Sequence, residues 1–462
     1  MMSSAPHPAS FRDPSGFLFH DANGILLRQV NRCYQGEFDK LLDSGLYNAL
    51  VKDGLLVEHE QIENSNALTE DAYAVIKPKV IPLISYPYEW AFSALKDAAL
   101  LTLSLQTKAL EHGMSLKDAS AYNVQFVGCK PVFIDTLSFE HYQEGKPWIA
   151  YGQFCRHFLA PLMLIAHSNV ELGRLAELFI DGIPLDLASQ LLPWRTKLSM
   201  GAQLHLHMHS KMVRKHENTS KESKARLGNL PKKRLLLLID NLRSLVSGLR
   251  WKSGGTEWGD YYQDNTYTDE SADNKRQLVS QFLQAIAPST AWDLGANTGV
   301  YSKLAVEQGA YCGAWDIDPA CVEQGYLGCR KRGESNLLPL RIDLSNPSPA
   351  LGWAHSERAS LAERGPVDVV MALALIHHLA IANNVPLDNI ARFFHRLSSN
   401  LIIEWVPKSD VQVQRLLQSR EDIFDHYDQE SFEEAFKRFY VIEAGLPVGN
   451  DGRVLYRMAG RK

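Results

Sequence analysis

The stretch AWDLGANTGVYSKLA, residues 291–305, predicts a strand, a tight turn and a helix in immediate succession. Gly295 and Gly299 lack a β-carbon, so the backbone of this turn can approach a bound molecule closely. The N-terminus of the following helix presents backbone N–H groups to the same place. Because one Gly-rich turn is weak evidence by itself, the neighbouring segments have to show which kind of sheet it belongs to.

The chain around this turn alternates between short apolar runs and helical stretches. Near-continuous apolar runs of this kind are typical of parallel strands that are covered on both faces. The candidate strands are 291–295, 312–317, 337–344, 367–375 and 400–406. Two more runs, 439–448 and 453–460, flank a short turn at Gly449–Gly452 and predict an antiparallel hairpin at the end of the sheet.

Acidic residues follow the second and third of these strands. Asp316 lies at the tip of the second strand, where a carboxylate can accept hydrogen bonds from both hydroxyls of a ribose. Asp343 ends the third strand, where a carboxylate can accept from an adenine amino group. The ordered set of turn, helix and two acids is far more specific than any one of its parts.

These features resemble the class I S-adenosylmethionine-dependent methyltransferases over roughly residues 255–462. The resemblance implies an α/β fold with a Rossmann-like seven-stranded sheet, whose antiparallel final hairpin sets it apart from nicotinamide dehydrogenases. Asn297 replaces the usual central Gly of the first loop, and Asn tolerates the left-handed backbone that such a turn needs. The S-adenosyl-L-methionine-binding residues that the resemblance implies are Asp293 and Gly295 for the methionine end, Asn297 and Gly299 in the same loop, Asp316 for the ribose and Asp343 for the adenine.

The segment 258–279, just before the first strand, contains three tyrosines, and the helix that follows them carries Lys275. In related methyltransferases a leading segment of this kind folds over the cofactor. The resemblance therefore implies cofactor contacts from Tyr267 and from Lys275, whose ammonium could meet the cofactor's carboxylate. The alternative is an ordinary surface helix, because lysines on helices usually point at water.

The fourth strand ends in MALALIHHLA, which places His377 and His378 at the carboxyl edge of the sheet, where open α/β sheets do their chemistry. Either ring could take a proton from the methyl acceptor, and Glu404 at the tip of the fifth strand is the second candidate base. The alternative is that the histidines only stabilise the loop. The motifs that grip a nucleobase amino group or activate a pyrimidine carbon are absent. We therefore expect a hydroxyl or phosphate oxygen as the acceptor.

The first third of the chain contains a second motif, LKDASAYNVQFVGCKPVFIDT at 116–136. Its spacing resembles small-molecule kinase-like phosphotransferases. The resemblance implies that Asp118 accepts a substrate proton and that Asn123 and Asp135 hold magnesium against the phosphates of ATP. Arg28 stands where such enzymes place a lysine, and no Gly-rich phosphate loop is evident. The alternatives are a non-catalytic kinase-like scaffold and an ordinary polar turn.

Helix and strand patterns around this motif follow the order expected of such a domain. GILLRQV at 24–30 predicts a strand, QGEFDKLLDSGLYNAL at 35–50 predicts a helix, and VIPLISYPYEW at 80–90 predicts a strand that runs into a hinge. The strongly apolar run at 95–112 predicts a buried helix. We therefore expect an N-terminal α+β domain. The two halves of the chain together resemble kinase–methyltransferase fusions that decorate or terminate surface polysaccharides. That resemblance implies a glycan or small molecule as the methyl acceptor, which the N-terminal domain phosphorylates or only binds.

With 462 residues the chain is too long for one ordinary domain. We expect a kinase-like domain at 1–210, a basic helical connector at 211–254 and a methyltransferase domain at 255–462. Residues 211–234 carry nine Lys or Arg against two Glu, which indicates a solvated connector or, as the alternative, an RNA-binding patch.

The overall composition argues for a cytoplasmic protein. Its net charge is −5, its N-terminus is polar, and its six cysteines form no CxxC pair. Its longest apolar runs are too short to span a bilayer, so no membrane span is expected. His205 and His209 are spaced as a metal-binding pair, but without a visible third ligand we favour a packing role.

Overall fold

A computed structural model of the chain describes residues 5–208, 230–252, 269–418 and 420–461. The chain divides into two compact units, and each is described by itself. The first comprises Met1–Lys252 together with Gly352–Arg358, and the second comprises Ser253–Leu351 and Ala359–Lys462. No helix among the described residues is both long enough and apolar enough to cross a membrane.

The second unit is built on a seven-stranded sheet. Its helices and strands, in chain order, are α10 (Asp269–Ile286), β9 (Thr290–Leu294), α11 (Ser302–Glu307), β10 (Tyr311–Asp316), α12 (Pro319–Arg332), β11 (Leu337–Arg341), β12 (Val369–Ala372), α13 (Leu387–Leu397), β13 (Asn400–Trp405), α14 (Val411–Gln418), α15 (Gln429–Lys437), β14 (Tyr440–Pro447) and β15 (Val454–Gly460). The strands lie in the order β11-β10-β9-β12-β13-β15-β14. β9 to β13 are parallel, and β15 runs antiparallel between β13 and β14. The predicted parallel sheet with an antiparallel final hairpin is therefore present.

The first strand of this sheet in the sequence, β9, lies in the interior of the sheet. β9 pairs with β10 on one side and β12 on the other, so the chain reverses its direction of progress across the sheet at β9. In open α/β sheets ligands bind beyond the carboxyl ends of the strands at this reversal point. The Gly-rich turn after β9 lies at that position.

A buried network of charges ties the carboxyl edge of this sheet together. Glu404 on β13 is fully buried, with Lys275 of α10 at 2.6 Å from its Oε2 and Arg453 at 3.3 Å from its Oε1. Arg453, which immediately precedes β15, also donates from Nε to Asp410 at 2.9 Å. Opposite charges at these distances offset the high cost of removing each of them from water.

The first unit combines a small antiparallel sheet with a mostly helical part. Its helices and strands, in chain order, are β1 (Gly16–His20), β2 (Leu26–Asn31), α1 (Gln35–Asp43), α2 (Leu46–Lys52), β3 (His59–Ile62), β4 (Ala72–Pro78), α3 (Phe92–Glu111), β5 (Met114–Leu116), β6 (Val124–Val127), β7 (Lys130–Phe133), β8 (Phe139–His141), α4 (Tyr151–Phe154), α5 (Ala160–His167), α6 (Leu175–Leu178), α7 (Leu185–Leu191), α8 (Met200–Ala202) and α9 (Lys232–Gly248). The sheet has the strand order β1-β2-β4-β3, and β5 pairs with β8 while β6 pairs with β7.

The predicted buried helix at 95–112 corresponds to α3, which buries most of its side chains. The predicted strand at 24–30 is β2, and the predicted helix at 35–50 is broken into two helices at Gly45, whose φ is +76°. The prediction of a strand at 80–90 was wrong. The preceding strand, β4, ends at Pro78, and residues 80–90 form no strand. Pro82 and Pro87 supply no N–H group to a ladder, so the chain after β4 does not extend the sheet.

The structure also revises the predicted connector at 211–254. Residues 209–229 lie outside the described part of the chain, whereas α9 packs against α3 as part of the first unit. Arg243 on α9 donates to the hydroxyls of Ser104 and Thr107 on α3, at 3.0 and 3.2 Å. A helix fixed in this way belongs to the fold of the first unit.

We predict that replacing Glu404 destabilises the second unit severely. Glu404→Leu leaves Lys275 and Arg453 buried without their shared carboxylate, at a cost of about 3–5 kcal/mol. The matched control is Glu443→Leu, because Glu443 is half-exposed and pairs with Arg457 at 3.2 Å, a surface ion pair worth about 0–1 kcal/mol. Hydrogen exchange of peptides from β9 to β15, measured in a urea series, reports the stability of this unit alone. Equal protection in both variants would show that the network contributes nothing.

Candidate functional site

The turn after β9 adopts the left-handed backbone conformation that its sequence suggests. Gly295, Asn297 and Gly299 have φ of +78°, +51° and +81°. The N–H groups of Gly295 and Ala296 both donate to the carbonyl of Trp315 on β10, at 2.8 and 2.9 Å. The turn is thus fastened to the neighbouring strand, and Asn297 takes the left-handed position in place of a glycine.

Asp293, at the end of β9, is buried below this turn. Its Oδ2 accepts a hydrogen bond of 2.6 Å from the hydroxyl of Ser302 in the first turn of α11. Burial raises the pKa of Asp293 to about 6, against the opposing effects of Ser302 and Lys275. The acid therefore ties the strand to the helix across the turn. Ser302 was not identified from the sequence, although its place at the start of the helix after the turn could have indicated such a bond.

Asp316 lies at the end of β10, as predicted. Its Oδ2 accepts from the N–H of Asn297 at 2.7 Å and its Oδ1 accepts from the N–H of Asp318 at 2.8 Å. Burial raises its pKa to about 6. The carboxylate is therefore oriented by the Gly-rich turn itself, and its remaining lone pairs are the ones that a ligand hydroxyl could use.

Asp343 follows β11 and is only partly buried. Its Oδ1 accepts from both the N–H and the hydroxyl of Ser345, at 2.9 and 2.6 Å. Asp293 and Asp316 thus lie at the ends of β9 and β10, and Asp343 lies two residues beyond β11, so the three acids come at the carboxyl ends of three strands that are adjacent in the sheet. Tyr267 lies outside the described residues.

Lys275 is buried, which excludes the surface helix that we considered as an alternative. Its ammonium lies 2.6 Å from Glu404 and 4.7 Å from the centre of the Tyr301 ring. Burial lowers its pKa, while Glu404 acts in the opposite direction. The Lys275 amine is therefore held close to the turn after β9 by its contact with Glu404.

Glu404 also positions the loop that follows β12. Its Oε2 accepts a 2.9 Å hydrogen bond from the N–H of Ala374, a residue with φ of +50°. A left-handed conformation is unfavourable for alanine, so the buried carboxylate stabilises a backbone path that the sequence does not favour. That path leads directly into His377 and His378.

The two histidines lie side by side, with ring centres 4.1 Å apart. His377 is buried, and its Nδ1 has no hydrogen-bond partner among the described residues. Burial lowers the pKa of His377 well below its usual value, reinforced by His378, Arg453 and Lys275, and burial lowers the pKa of His378 to about 4. Both rings are therefore neutral near pH 7 and able to accept a proton.

Arg453 and Asp410 are the members of this region that sequence reasoning missed. Arg453 is fully buried and contacts both Glu404 and Asp410. No local pattern marks the pairing, because Glu404 and Arg453 are 49 residues apart and meet only through the antiparallel pairing of β13 with β15.

The first unit brings the three predicted phosphotransferase residues together. Asp118 interacts with the side chain of Asn123, and Asn123 donates to the hydroxyl of Ser138 at 3.3 Å. The hydroxyl of Ser138 in turn donates to Asp135. Burial, the largest effect, raises the pKa of Asp118, and the neighbouring Asp135 adds to the increase. The cluster is thus one connected set of polar side chains.

The guanidinium of Arg28 lies beside Asp135, in the position that a magnesium ion bound to this carboxylate would need. Its Nη2 lies 2.6 Å from Asp135 Oδ1 and 3.7 Å from Asp13. Burial alone would raise the pKa of Asp135, but Arg28 and Ser138 bring it below the usual value. Asp135 is therefore an ionised carboxylate whose charge is balanced by a guanidinium.

Within its described residues, neither unit shows a cluster of metal-binding side chains. Across the described ranges, no three His, Cys, Asp or Glu residues are grouped to hold an ion. His205, for which a packing role was expected, contacts Tyr151 and Asn241 at 2.8 Å each, and its predicted companion His209 lies outside the described residues.

Several solved methyltransferase structures are similar to part of the chain. The magnesium protoporphyrin IX methyltransferase ChlM from Synechocystis PCC 6803 is 14% identical, with a TM-score of 0.31 over 44% of this chain and 93% of that one. The N-methyltransferase NodS from Bradyrhizobium japonicum WM9 is 10% identical, with a TM-score of 0.31 over 42% and 98%. The bifunctional kinase-methyltransferase WbdD is 15% identical, with a TM-score of 0.29 over 47% and 46%. Sequence identities and TM-scores this low do not support an inference about function.

The sequence itself has a much stronger relative. No protein-family model matches the chain. The nodulation protein NoeA of Rhizobium meliloti (strain 1021) is 37% identical over 455 residues, which cover 95% of this chain and 93% of that protein. Because the identity extends over nearly the whole length of both proteins, the chain belongs to the NoeA family.

Proposed function

We propose that the second unit is an S-adenosylmethionine-dependent methyltransferase that acts on a hydroxyl or phosphate oxygen of a glycan or small molecule. The observation that carries this proposal is the sheet order with the reversed strand β15, combined with the left-handed turn after β9 and the acid at the end of β10. The strand order supports the class I methyltransferase resemblance, and the turn and acid place ligand-binding groups at its reversal point.

The residues at the reversal point fit the cofactor. Gly295 and Gly299 have φ of +78° and +81°, which residues with a β-carbon rarely adopt, and a β-carbon on Gly295 would also lie 3.2 Å from Leu375. Asp316 would accept from the ribose hydroxyls, Asp343 from the adenine amino group, and Asp293 with Gly295 would hold the methionine end. The bound cofactor would supply a methyl group activated by a positively charged sulfur.

Lys275 is proposed to meet the cofactor's carboxylate from the side of α10. The 2.6 Å contact with Glu404 fixes the position of its amine. A lysine fixed in this way loses little side-chain entropy on binding an anion. Tyr267 remains a proposed contact of the same cofactor.

The histidines are proposed to receive the proton that the acceptor loses. Their lowered pKa values keep both rings unprotonated near neutral pH, and the same lowering makes each ring a weak base, because a general base works best with a pKa near the working pH. Glu404 remains a second candidate, but its oxygens already contact Lys275, Ala374 and Arg453. This arrangement favours a histidine as the base and Glu404 as the residue that positions it.

We predict that two substitutions remove cofactor binding. Asp316→Ala should weaken it at least tenfold by removing the ribose contacts. Gly295→Asp should abolish it, because a side chain and a second negative charge would fill the approach to the methionine end. The measurement is calorimetric titration with S-adenosylmethionine.

Two controls distinguish the site from general damage. Gly309→Asp introduces the same side chain at another left-handed glycine (φ +91°), where no other atom lies within 4 Å of the added β-carbon. His377→Ala should also leave cofactor affinity unchanged, since the histidine is assigned to the acceptor. Undiminished affinity in both Gly295→Asp and Asp316→Ala would refute the assigned site.

We predict that cofactor affinity rises as pH increases through about 6. The pKa of Asp316 is raised to about 6, and only its ionised form accepts hydrogen bonds from both ribose hydroxyls. The same raised pKa means that the folded state binds this proton more tightly than the unfolded state. The protonated Asp316 side chain therefore contributes to the free energy of unfolding at low pH, and this contribution is lost as pH rises from about 4 to 6. Titrations between pH 5 and 8 test the first expectation, and Asp316→Asn should give a weak affinity with a smaller pH dependence, which then comes from Asp293, whose pKa is also about 6.

For the first unit we propose acceptor binding without phosphotransfer. The observation that favours a ligand site is the connected set Asp118, Asn123 and Asp135. The same set does not fit magnesium as it stands, because the guanidinium of Arg28 occupies the side of Asp135 that a metal ion would need. Arginine stays charged at all physiological pH values and does not release that position by losing a proton.

We predict that magnesium and ATP together do not raise the unfolding temperature of the protein. Thermal-shift measurements with and without magnesium test this directly, with Asp135→Ala as the informative variant. Glu60→Ala, an exposed acid on β3, is the control. A magnesium-dependent stabilisation that disappears in Asp135→Ala but persists in Glu60→Ala would contradict the proposal and indicate a working nucleotide site.

A further inference from the structure

A short segment of the first unit has its apolar side chains on the outside. Among the described residues, twenty large apolar side chains are exposed, and six of them fall within residues 191–208. Three are exposed by more than 70%: Trp194 (73%), Leu198 (74%) and Met200 (88%). Leu191, Leu204 and Met208 complete the set, which we call the 191–208 apolar surface.

Two histidines of the same segment point inward. His207 is buried and contacts Ser189 at 2.7 Å and Thr196 at 3.1 Å, one with each ring nitrogen. His205 is buried as well and contacts Tyr151 and Asn241. Such bonds specify the backbone, so the exposure of the tryptophan, leucine and methionine side chains is built into the fold.

The charged side chains of this segment have one sign. Residues 187–208 contain no Asp or Glu, and their two Lys or Arg residues are Arg195 and Lys197. Both are exposed, between Trp194 and Leu198. Exposed tryptophan and aliphatic side chains interleaved with basic residues are the composition of interfacial membrane anchors.

We propose that the 191–208 apolar surface docks the protein on an anionic lipid surface. The apolar side chains would enter the boundary between headgroups and acyl chains, while Arg195 and Lys197 contact lipid phosphates. A second copy of the chain is the poorer partner, since a symmetric interface would bring these cations together without any acid in the segment to pair with them. Nucleic acid is poorer too, because five of the six exposed apolar side chains are Leu or Met and cannot stack on bases.

The test is flotation of the full-length protein with vesicles. We expect binding to vesicles of phosphatidylglycerol and phosphatidylcholine and at least tenfold weaker binding to phosphatidylcholine alone. The triple variant Trp194→Ser, Leu198→Ser, Met200→Ser should lose at least tenfold in binding to the anionic vesicles. Arg195→Gln with Lys197→Gln should remove the preference for anionic lipid.

Trp353→Ser is the matched control, because Trp353 is a 68% exposed tryptophan elsewhere in the first unit and should not affect flotation. All substituted side chains are exposed, so the unfolding temperature should stay at the wild-type value. The proposal is overturned if the wild-type protein does not float with anionic vesicles, or if the triple variant floats equally well. It is also overturned if sedimentation shows a dimer that the triple variant dissociates.

Discussion

The carboxylate of Glu404 is the constraint on which the second unit depends. It is fully buried, and it is shared by Lys275 from α10, Arg453 from the end of the chain and the backbone N–H of Ala374. Each partner comes from a different element of the fold. A buried carboxylate with two cations is stable only when all of them are in place, so this group makes the formation of the edge cooperative.

The chemistry that we propose follows from this arrangement. The bond from Glu404 to Ala374 sets the path of the loop that ends in His377 and His378, and the nearby cations help to keep His377 neutral. On the other side of β9, the turn after the strand orients Asp316 through the N–H of Asn297. Under the proposed function, the ends of neighbouring strands supply the cofactor half and the acceptor half of one site.

The features predictable from the sequence were the local ones. The strand, turn and helix at 291–305, the acids that follow β10 and β11, and the closing hairpin all depend on residues close together in the chain. The ion pair of Glu404 with Arg453 depends on strand pairing across the sheet, and so no local pattern revealed it. Lys275 could be read as a surface residue for the same reason, because its buried partner lies on β13. The assignments of His377, Asp343 and the phosphotransferase-like cluster to particular roles remain predictions.

The most direct test of the account is transfer of a labelled methyl group from S-adenosylmethionine to glycans, small hydroxylated metabolites and RNA. The account predicts that label enters a glycan or a small molecule. It also predicts that turnover falls by about a hundredfold or more in His377→Ala or His378→Ala, the scale of a lost general base. Transfer to RNA alone, or no transfer to any acceptor by a protein that binds the cofactor, would contradict it.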